Sequence, residues 1–307
     1  MKKAILIIMA VFLILMSFSL ISAAADFPIK FIDDMDREVI IEDEVQRVIS
    51  LAPGVTEIIY ALNAEDKLVG VSSAANYPEA ALEKESVGNI SDPNIEKIVS
   101  LKADLVIAES VTNKEVVRRL SNLGIKVVGF RPNSIPETFE MIENIALLLS
   151  KEETAEDLTA EMRAEYEKIK NLVDAELDNS SRVRVFYEIW SDPLITAGSS
   201  TFLDSIIEEA GGYNIGRDAE GSWPQFNVES LLDADPEVYI ASEHSAPDGL
   251  SMEKLKKRSI MRETTAYKNN RLYLVDQDLV NRPSPRIIEG YKEFVFAIFP
   301  EIREEIN

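Results

Sequence analysis

The feature that most constrains the fold is a repeated alternation of short apolar segments with stretches of helical periodicity. Each apolar segment is rich in Val, Ile and Leu, and a helical pattern separates it from the next one. Strands that are apolar on both faces and alternate with helices predict parallel sheets covered by helices. The predicted strands are residues 47–51, 68–71, 105–108, 127–130, 183–187, 238–241 and 272–275.

One long helical stretch interrupts this alternation. Residues 135–177 keep apolar positions at helical spacing and are too long for a single crossover between neighbouring strands. We therefore predict an α/β fold of two Rossmann-like lobes with parallel-rich sheets, residues 25–134 and 179–307. One long rigid helix over residues 135–178 is predicted to join them.

A weak internal repeat relates the two lobes. Residues 94–108 match residues 227–241 at one constant offset, each as a helical segment that leads into a strand. The lobes are therefore predicted to be versions of one unit, although two short helix–strand segments also align by chance. The repeat places Glu96 and Glu229 in equivalent positions on opposite lobes.

The start of the chain has the pattern of a targeting segment. Lys2 and Lys3 precede an apolar run over residues 4–21, and small residues follow over 22–25. This order predicts an export signal peptide over residues 1–24, with an uncleaved membrane anchor as the alternative. Both interpretations predict an extracytoplasmic location for the rest of the chain.

The composition excludes several classes of partner and site. The chain has 32 Lys and Arg residues against 54 Asp and Glu, a formal net charge of -22, which argues against nucleic acid or an anionic membrane surface. It contains no cysteine and one histidine. Disulfides, a Cys nucleophile and metal sites built from thiolates or several imidazoles are therefore excluded, and no metal site is predicted.

The residues available for catalysis do not form a recognisable motif. Ser199 and Ser200 with His244 offer the components of a Ser-His-carboxylate site, but the serines lack the Gly-x-Ser-x-Gly context of a nucleophile elbow. We predict that the chain is not an enzyme and needs no cofactor. An exported enzyme that uses His244 stays open as the alternative, as does a contact of His244 with a metal-containing ligand.

Both tryptophans lie where loops leave predicted strands. Trp190 follows the strand over residues 183–187, and Trp223 lies in a Gly-Ser-Trp-Pro-Gln loop. Ligands of open α/β lobes bind beyond the carboxyl ends of the strands, and indole faces suit a large, flat, partly apolar ligand. A tryptophan that only fills the seam between the lobes is the alternative.

Motifs along nearly the whole chain after the export signal resemble the periplasmic binding proteins of ABC importers for iron complexes and vitamin B12. The stretches that carry the resemblance are residues 47–57, 94–107, 194–215, 223–229 and 282–286. The similarity is closer to the B12-binding branch, through Trp223-Pro224-Gln225 and the string from Asp278 to Arg286.

This resemblance implies two lobes joined by a rigid helix, with cobalamin or a related corrinoid held in the cleft. By position, the C-terminal side of the cleft is lined by Trp190, Trp223, Asp278 and Arg282. Indole faces would cover the corrin edge, while Asp and Arg would form hydrogen bonds with its amide side chains.

The N-terminal side departs from the family pattern. Ala74, Ile90 and Glu109 stand where the B12 binder has aromatic residues, and Tyr77 is the obvious replacement nearby. A ferric siderophore or haem is therefore the alternative ligand within the same class. An anionic siderophore requires several cations in the cleft; the candidates, Arg131, Arg282 and Arg286, are few, which favours a corrinoid.

The resemblance also implies the partners. In such importers one acidic residue on each lobe docks onto arginines of the two permease subunits, and these residues fall on Glu96 and Glu229. The alternative is that each is only a Glu in the first turn of a helix. We expect a monomer that delivers its ligand to a permease dimer with its ATPase; an adhesion or sensor protein is a further alternative.

Overall fold

The computed structural model describes residues 27–109, 112–177 and 181–306. The predicted export signal over residues 1–24 lies outside these ranges and stays a prediction. Within them, no helix is both long enough and apolar enough to cross a membrane.

The N-terminal lobe is built on a four-stranded parallel sheet preceded by an antiparallel hairpin. The hairpin strands are β1 (Ile29–Ile32) and β2 (Glu38–Ile41). The sheet strands are β3 (Val48–Ser50), β4 (Leu68–Val71), β5 (Leu105–Glu109) and β6 (Lys126–Phe130), in the order β4-β3-β5-β6. The helices are α1 (Pro53–Ala61), α2 (Ile95–Ser100) and α3 (Lys114–Asn122), with a 3-10 turn over Glu79–Glu83.

Two more helices follow the first lobe, and they divide the stretch that was predicted as one helix. They are α4 (Ile135–Leu149) and α5 (Glu152–Leu177). The break lies at Ser150, which adopts the left-handed conformation with φ 57° and so ends α4. The prediction of a single helix over 135–178 is therefore corrected to two helices. The sequence shows no clear sign of the break, because a helix that ends in this conformation more often has Gly or Asn at that position, and here the residue is Ser.

The C-terminal lobe repeats the parallel sheet and adds one antiparallel strand. Its strands are β7 (Val183–Ser191), β8 (Leu194–Thr196), β9 (Gly212–Asn214), β10 (Val238–Ser242) and β11 (Leu272–Val275). Its helices are α6 (Phe202–Glu209), α7 (Val228–Ala234), α8 (Met252–Lys257), α9 (Thr265–Lys268), α10 (Gln277–Val280), α11 (Ile287–Ile298) and α12 (Arg303–Ile306). Three 3-10 turns lie at Ile215–Asp218, Ser259–Glu263 and Pro300–Ile302.

The sheet topologies confirm that the lobes are two versions of one unit. The parallel pairs β4-β3-β5-β6 of the first lobe correspond to β9-β7-β10-β11 of the second. Helix α2 leads into β5 as α7 leads into β10, as the sequence repeat predicts. The added strand β8 pairs antiparallel with the end of β7, beyond the part of β7 that pairs with β9.

A continuous apolar core joins the lobes behind the cleft. One buried cluster contains residues of both lobes and of α4 and α5, while each lobe has a smaller outer cluster of its own. Tyr166 of α5 packs between Phe139 of α4 and Tyr291 of α11, with ring centroids 5.9 and 5.7 Å apart. Close-packed interiors resist deformation, so this core makes the relative placement of the lobes stiff.

Candidate functional site

A cavity of about 630 Å³ lies in the cleft and is lined by both lobes. The N-terminal lobe contributes Glu109 and residues 131–133, and the C-terminal lobe contributes Ile189, residues 200–203, Ser222, Trp223, Asn281 and Pro283. Glu109 ends β5, residues 131–133 follow β6 and Ile189 lies near the end of β7, so this part of the lining is at the carboxyl ends of parallel strands, where open α/β folds bind ligands. The cavity size is typical of small-molecule sites.

Trp223 is an exposed aromatic side chain on the C-terminal wall. It is 56% exposed, and its loop is held to the strand end by a bond from the Gly198 amide to the Ser222 carbonyl at 2.9 Å. Gly198 permits this approach because a Cβ there would collide with the Gly221 carbonyl. The loop therefore places the Trp223 side chain on the cavity wall from a fixed support.

Trp190 has a different setting. It lies at the end of β7, half-buried, and its Nε1 donates to the Asp192 carbonyl at 2.9 Å. The preceding residue, Ile189, is the one that lines the cavity. The structure thus ties the Trp190 indole to its own hairpin, and a ligand contact by Trp190 stays a prediction.

A charged network crosses the seam between the lobes beside the cavity. Glu57 of α1, whose side chain is 2% exposed, accepts two bonds from Arg286, at 2.8 and 2.7 Å, and one from Arg282 Nη1 at 3.1 Å. The bond with Glu57 is also the first cause that raises the pKa of Arg286 above its usual value. One buried carboxylate of the first lobe therefore fixes two cations of the second.

Asn76 extends this network across the seam. Its Oδ1 accepts from Arg282 Nη1 at 2.7 Å, and its Nδ2 donates to Asp278 Oδ2 at 2.8 Å. Arg282 and Asp278 also form a salt bridge at 2.6 Å within their own lobe. We call Glu57, Asn76, Asp278, Arg282 and Arg286 the seam network.

The structure therefore brings three predicted ligand residues, Asp278, Arg282 and Tyr77, close together. Their contacts are mainly with one another and with residues of the opposite lobe. Asp278 and Arg282 are members of the seam network, and the ring of Tyr77 lies under the Arg286 guanidinium at 3.9 Å. Cation–π contact of this kind holds the ring in place. Ligand binding by these three residues stays a prediction, and any such ligand would meet groups that already have partners.

Glu109 lies at the carboxyl end of β5, on the cavity wall. Among the described residues its buried Oε1 has no hydrogen-bond partner. The pKa of Glu109 is raised to about 7, and burial is the main cause. The charge of Arg282 lowers this pKa, the negative charge of Glu57 raises it, and the bond from the Val55 N–H lowers it. The group therefore lies near its midpoint between neutral and ionised forms at neutral pH.

Sequence reasoning missed the roles of Glu57, Asn76 and Arg286. Glu57 and Arg286 do lie in stretches that carry the family resemblance, so a signal existed. Nothing in the sequence pairs them, however, because they come from opposite ends of the chain. Glu109 was noticed only as a departure from an aromatic pattern.

The two predicted docking residues have matching settings. Glu96 and Glu229 are exposed residues in the first turns of α2 and α7, and Asn94 and Asn227 cap those helices through bonds of 2.9 and 2.7 Å. Neither glutamate forms a salt bridge in the part of the chain that the structure describes. The repeat therefore holds at the level of the capped helix as well as the sheet.

The residues of the alternative enzyme hypothesis do not share a site. His244 is exposed on the loop after β10, where its backbone N–H donates to Ser242 Oγ at 3.1 Å. Ser200 lines the cavity, whereas His244 is not among the lining residues. Within the described ranges, no group of three or more His, Asp or Glu side chains is placed to hold a metal ion.

Comparison with known proteins agrees with this architecture. The ABC transporter substrate-binding lipoprotein YvrC of Bacillus subtilis, itself uncharacterized, is 31% identical over 284 residues, 91% of this chain and 88% of that protein. A vitamin B12-binding protein of Vibrio cholerae is 31% identical over 249 residues, 81% of this chain and 87% of that protein.

A solved structure and a family model complete the comparison. The crystal structure of the periplasmic vitamin B12 binding protein BtuF of Vibrio cholerae matches with a TM-score of 0.74 and 29% identity, and the match covers 85% of this chain and 98% of that one. The model of a family described as periplasmic binding protein matches residues 48–279. The resemblance and the fold class predicted from the sequence are both confirmed, and this chain belongs to the periplasmic binding protein family.

Proposed function

We propose that this protein is the extracytoplasmic solute-binding protein of an ABC importer and that it binds cobalamin or a related corrinoid in the cleft. The observation that carries the proposal is the cavity between the lobes with the exposed Trp223 on one wall. A relative named as a vitamin B12-binding protein shares 31% identity over most of both chains. The geometry and the similarity thus favour the same ligand class.

The mixture of apolar and polar groups on the cavity wall suits a corrinoid. The indole of Trp223 and the ring of Phe202 give the C-terminal wall apolar area, and Ser200, Ser222 and Asn281 add hydrogen-bonding groups. Two of the three candidate cations of the cleft, Arg282 and Arg286, are bound to Glu57. A highly anionic ligand would find Arg131, on the N-terminal wall, as the remaining candidate cation of the three, so a neutral or weakly charged ligand is favoured.

Small lobe movement is expected on binding. The lobes share one buried core, and the seam network ties them together beside the cavity. A preformed site avoids part of the ordering cost of binding. The protein then delivers its ligand to a permease dimer through Glu96 and Glu229, one contact for each lobe.

Calorimetric titration of the purified protein with cyanocobalamin, haem and a ferric hydroxamate tests the ligand. We expect saturable binding of cyanocobalamin at one site and weaker or no binding of the other two. Absence of cyanocobalamin binding, together with tight binding of haem or the hydroxamate, would show that the ligand class is wrong. Bovine serum albumin titrated in parallel controls for non-specific haem binding.

A further inference from the structure

We propose that Glu109 is the specificity-determining group of the cleft and that it selects ligands that present carboxamide N–H donors over ligands that present carboxylates. This inference rests on the proposed function, because it specifies the ligand chemistry of the same cavity. It adds a residue and a selection rule that the fold alone does not provide.

Glu109 is accessible from the cavity. It lines the cavity and is partly exposed as a residue, although its Oε1 is buried. In the described residues it belongs to no salt bridge, and its Oε1 has no hydrogen-bond partner. A buried carboxylate with unused acceptor capacity is costly until a donor satisfies it.

Among the described residues, the neighbouring cations form no salt bridge with Glu109. Arg282 is the cation that acts most strongly on Glu109, but its guanidinium is bonded to Glu57, Asn76 and Asp278. Arg131, the other charged group on the cavity wall, is exposed to solvent. When Glu109 is ionised, a ligand carboxylate placed against it would therefore meet a like charge that no salt bridge offsets, whereas an amide N–H would donate a hydrogen bond to it.

A structural role for Glu109 is the competing explanation. The carboxyl lies near the start of α1, where the Val55 N–H faces it and where the cap residue, Ala52, offers no side-chain bond. Support of α1 would affect stability but would not distinguish an amide from an acid on the ligand. Selectivity between two otherwise matched ligands therefore separates the two roles.

The test compares cyanocobalamin with its separated monocarboxylic acids, in each of which one peripheral carboxamide is hydrolysed. For the acid whose altered group faces Glu109, we expect wild-type affinity to fall about 10-fold to 100-fold, the range of a charge-assisted hydrogen bond. In Glu109→Gln the preference should shrink several-fold, because the repelling charge is gone. Glu83→Gln, on the exposed outside of the same lobe, is the matched control and should keep the wild-type ratio.

A pH series gives a readout that a structural role would not produce. A donor bound to ionised Glu109 requires loss of its proton, so wild-type affinity for cyanocobalamin should rise about 10-fold from pH 6 to pH 8, given a pKa of about 7. The charged groups that face Glu109 are Glu57 on α1 and Arg282 after α10, with Arg131 on the cavity wall. Glu109→Gln should show a flat profile, and Glu109→Asp serves if the Gln variant does not fold.

The outcomes are distinguishable. Wild-type binding with equal affinities for the amide and every acid, or an unchanged ratio in a folded Glu109→Gln, would overturn the role of Glu109 and leave the proposed function standing. No binding of cyanocobalamin by the wild type would overturn the proposed function and this inference together.

Discussion

The two lobes share one strand order but present different walls to the cleft. The N-terminal wall offers buried charge: Glu57 lies in the seam network, and Glu109 stands at the end of β5. The C-terminal wall offers an exposed indole, Trp223, with hydroxyl groups beside it. A duplicated scaffold has therefore kept its sheets, while the loops at the strand ends have taken different tasks.

On their outer surfaces, in contrast, the two lobes are alike. Glu96 and Glu229 keep the same position on the same capped helix in both lobes. A permease dimer presents two equivalent docking sites, so selection for docking would keep Glu96 and Glu229 in equivalent settings. One asymmetric ligand, in contrast, needs two different cleft walls. The predictions that follow test each side of this comparison.

The largest effect is expected for substitutions of Glu96 and Glu229, which have the same setting in both lobes. The double variant Glu96→Arg with Glu229→Arg should reduce uptake to background, because both of the proposed contacts with a basic permease surface would become repulsive. Each single variant should give a similar partial loss. Uptake of labelled cobalamin by cells that express the importer, with ligand affinity measured separately, checks the result.

Matched controls for docking exist in both lobes. Glu115 and Glu253 are also first-turn glutamates, but they are paired with Arg118 and Lys257. Glu115→Arg with Glu253→Arg carries the same change of charge and a similar cost at the helix starts. Equal uptake by the two double variants would mean that Glu96 and Glu229 serve only their helices.

The second effect concerns the charged wall. Glu57→Ala should lower the free energy of unfolding by about 3 to 5 kcal/mol, because it leaves Arg282 and Arg286 without their shared carboxylate in a mostly buried seam. Urea unfolding followed by circular dichroism measures the change. Glu83→Ala, an exposed control, should stay within about 0.5 kcal/mol of wild type.

A smaller loss in Glu57→Ala would be informative as well. A decrease of less than about 1 kcal/mol would mean that water or Asp278 takes over both arginines and that the seam network does not hold the lobes. Binding of ligand by that variant would then show whether lobe placement depends on the shared core alone.

The sequence predicted the sheets and the repeat because both depend on local apolar periodicity. It failed at Ser150, where a residue without the usual turn signal adopts φ 57°. It failed again at the seam network, because the pairing of Glu57 with Arg286 depends on where two distant segments meet in space. The place of Trp223 on the cavity wall could be predicted because its loop position and its family motif are both visible in one segment, whereas the unpartnered Oε1 of Glu109 depends on everything around it.

The smallest effect separates the two tryptophans of the C-terminal lobe. Trp223→Ala should weaken corrinoid binding about 10-fold to 100-fold, since it removes an exposed aromatic face from the cavity, and Trp223→Phe should recover part of the loss. Trp190→Ala should change affinity less, because the Trp190 indole is bonded to Asp192 on its own hairpin and Ile189 takes the place on the cavity wall. Calorimetry on the three variants ranks their losses of affinity. If Trp190→Ala proves the more damaging, the aromatic contact lies on the hairpin of β7 and β8, and the ligand binds nearer that hairpin than the cavity indicates.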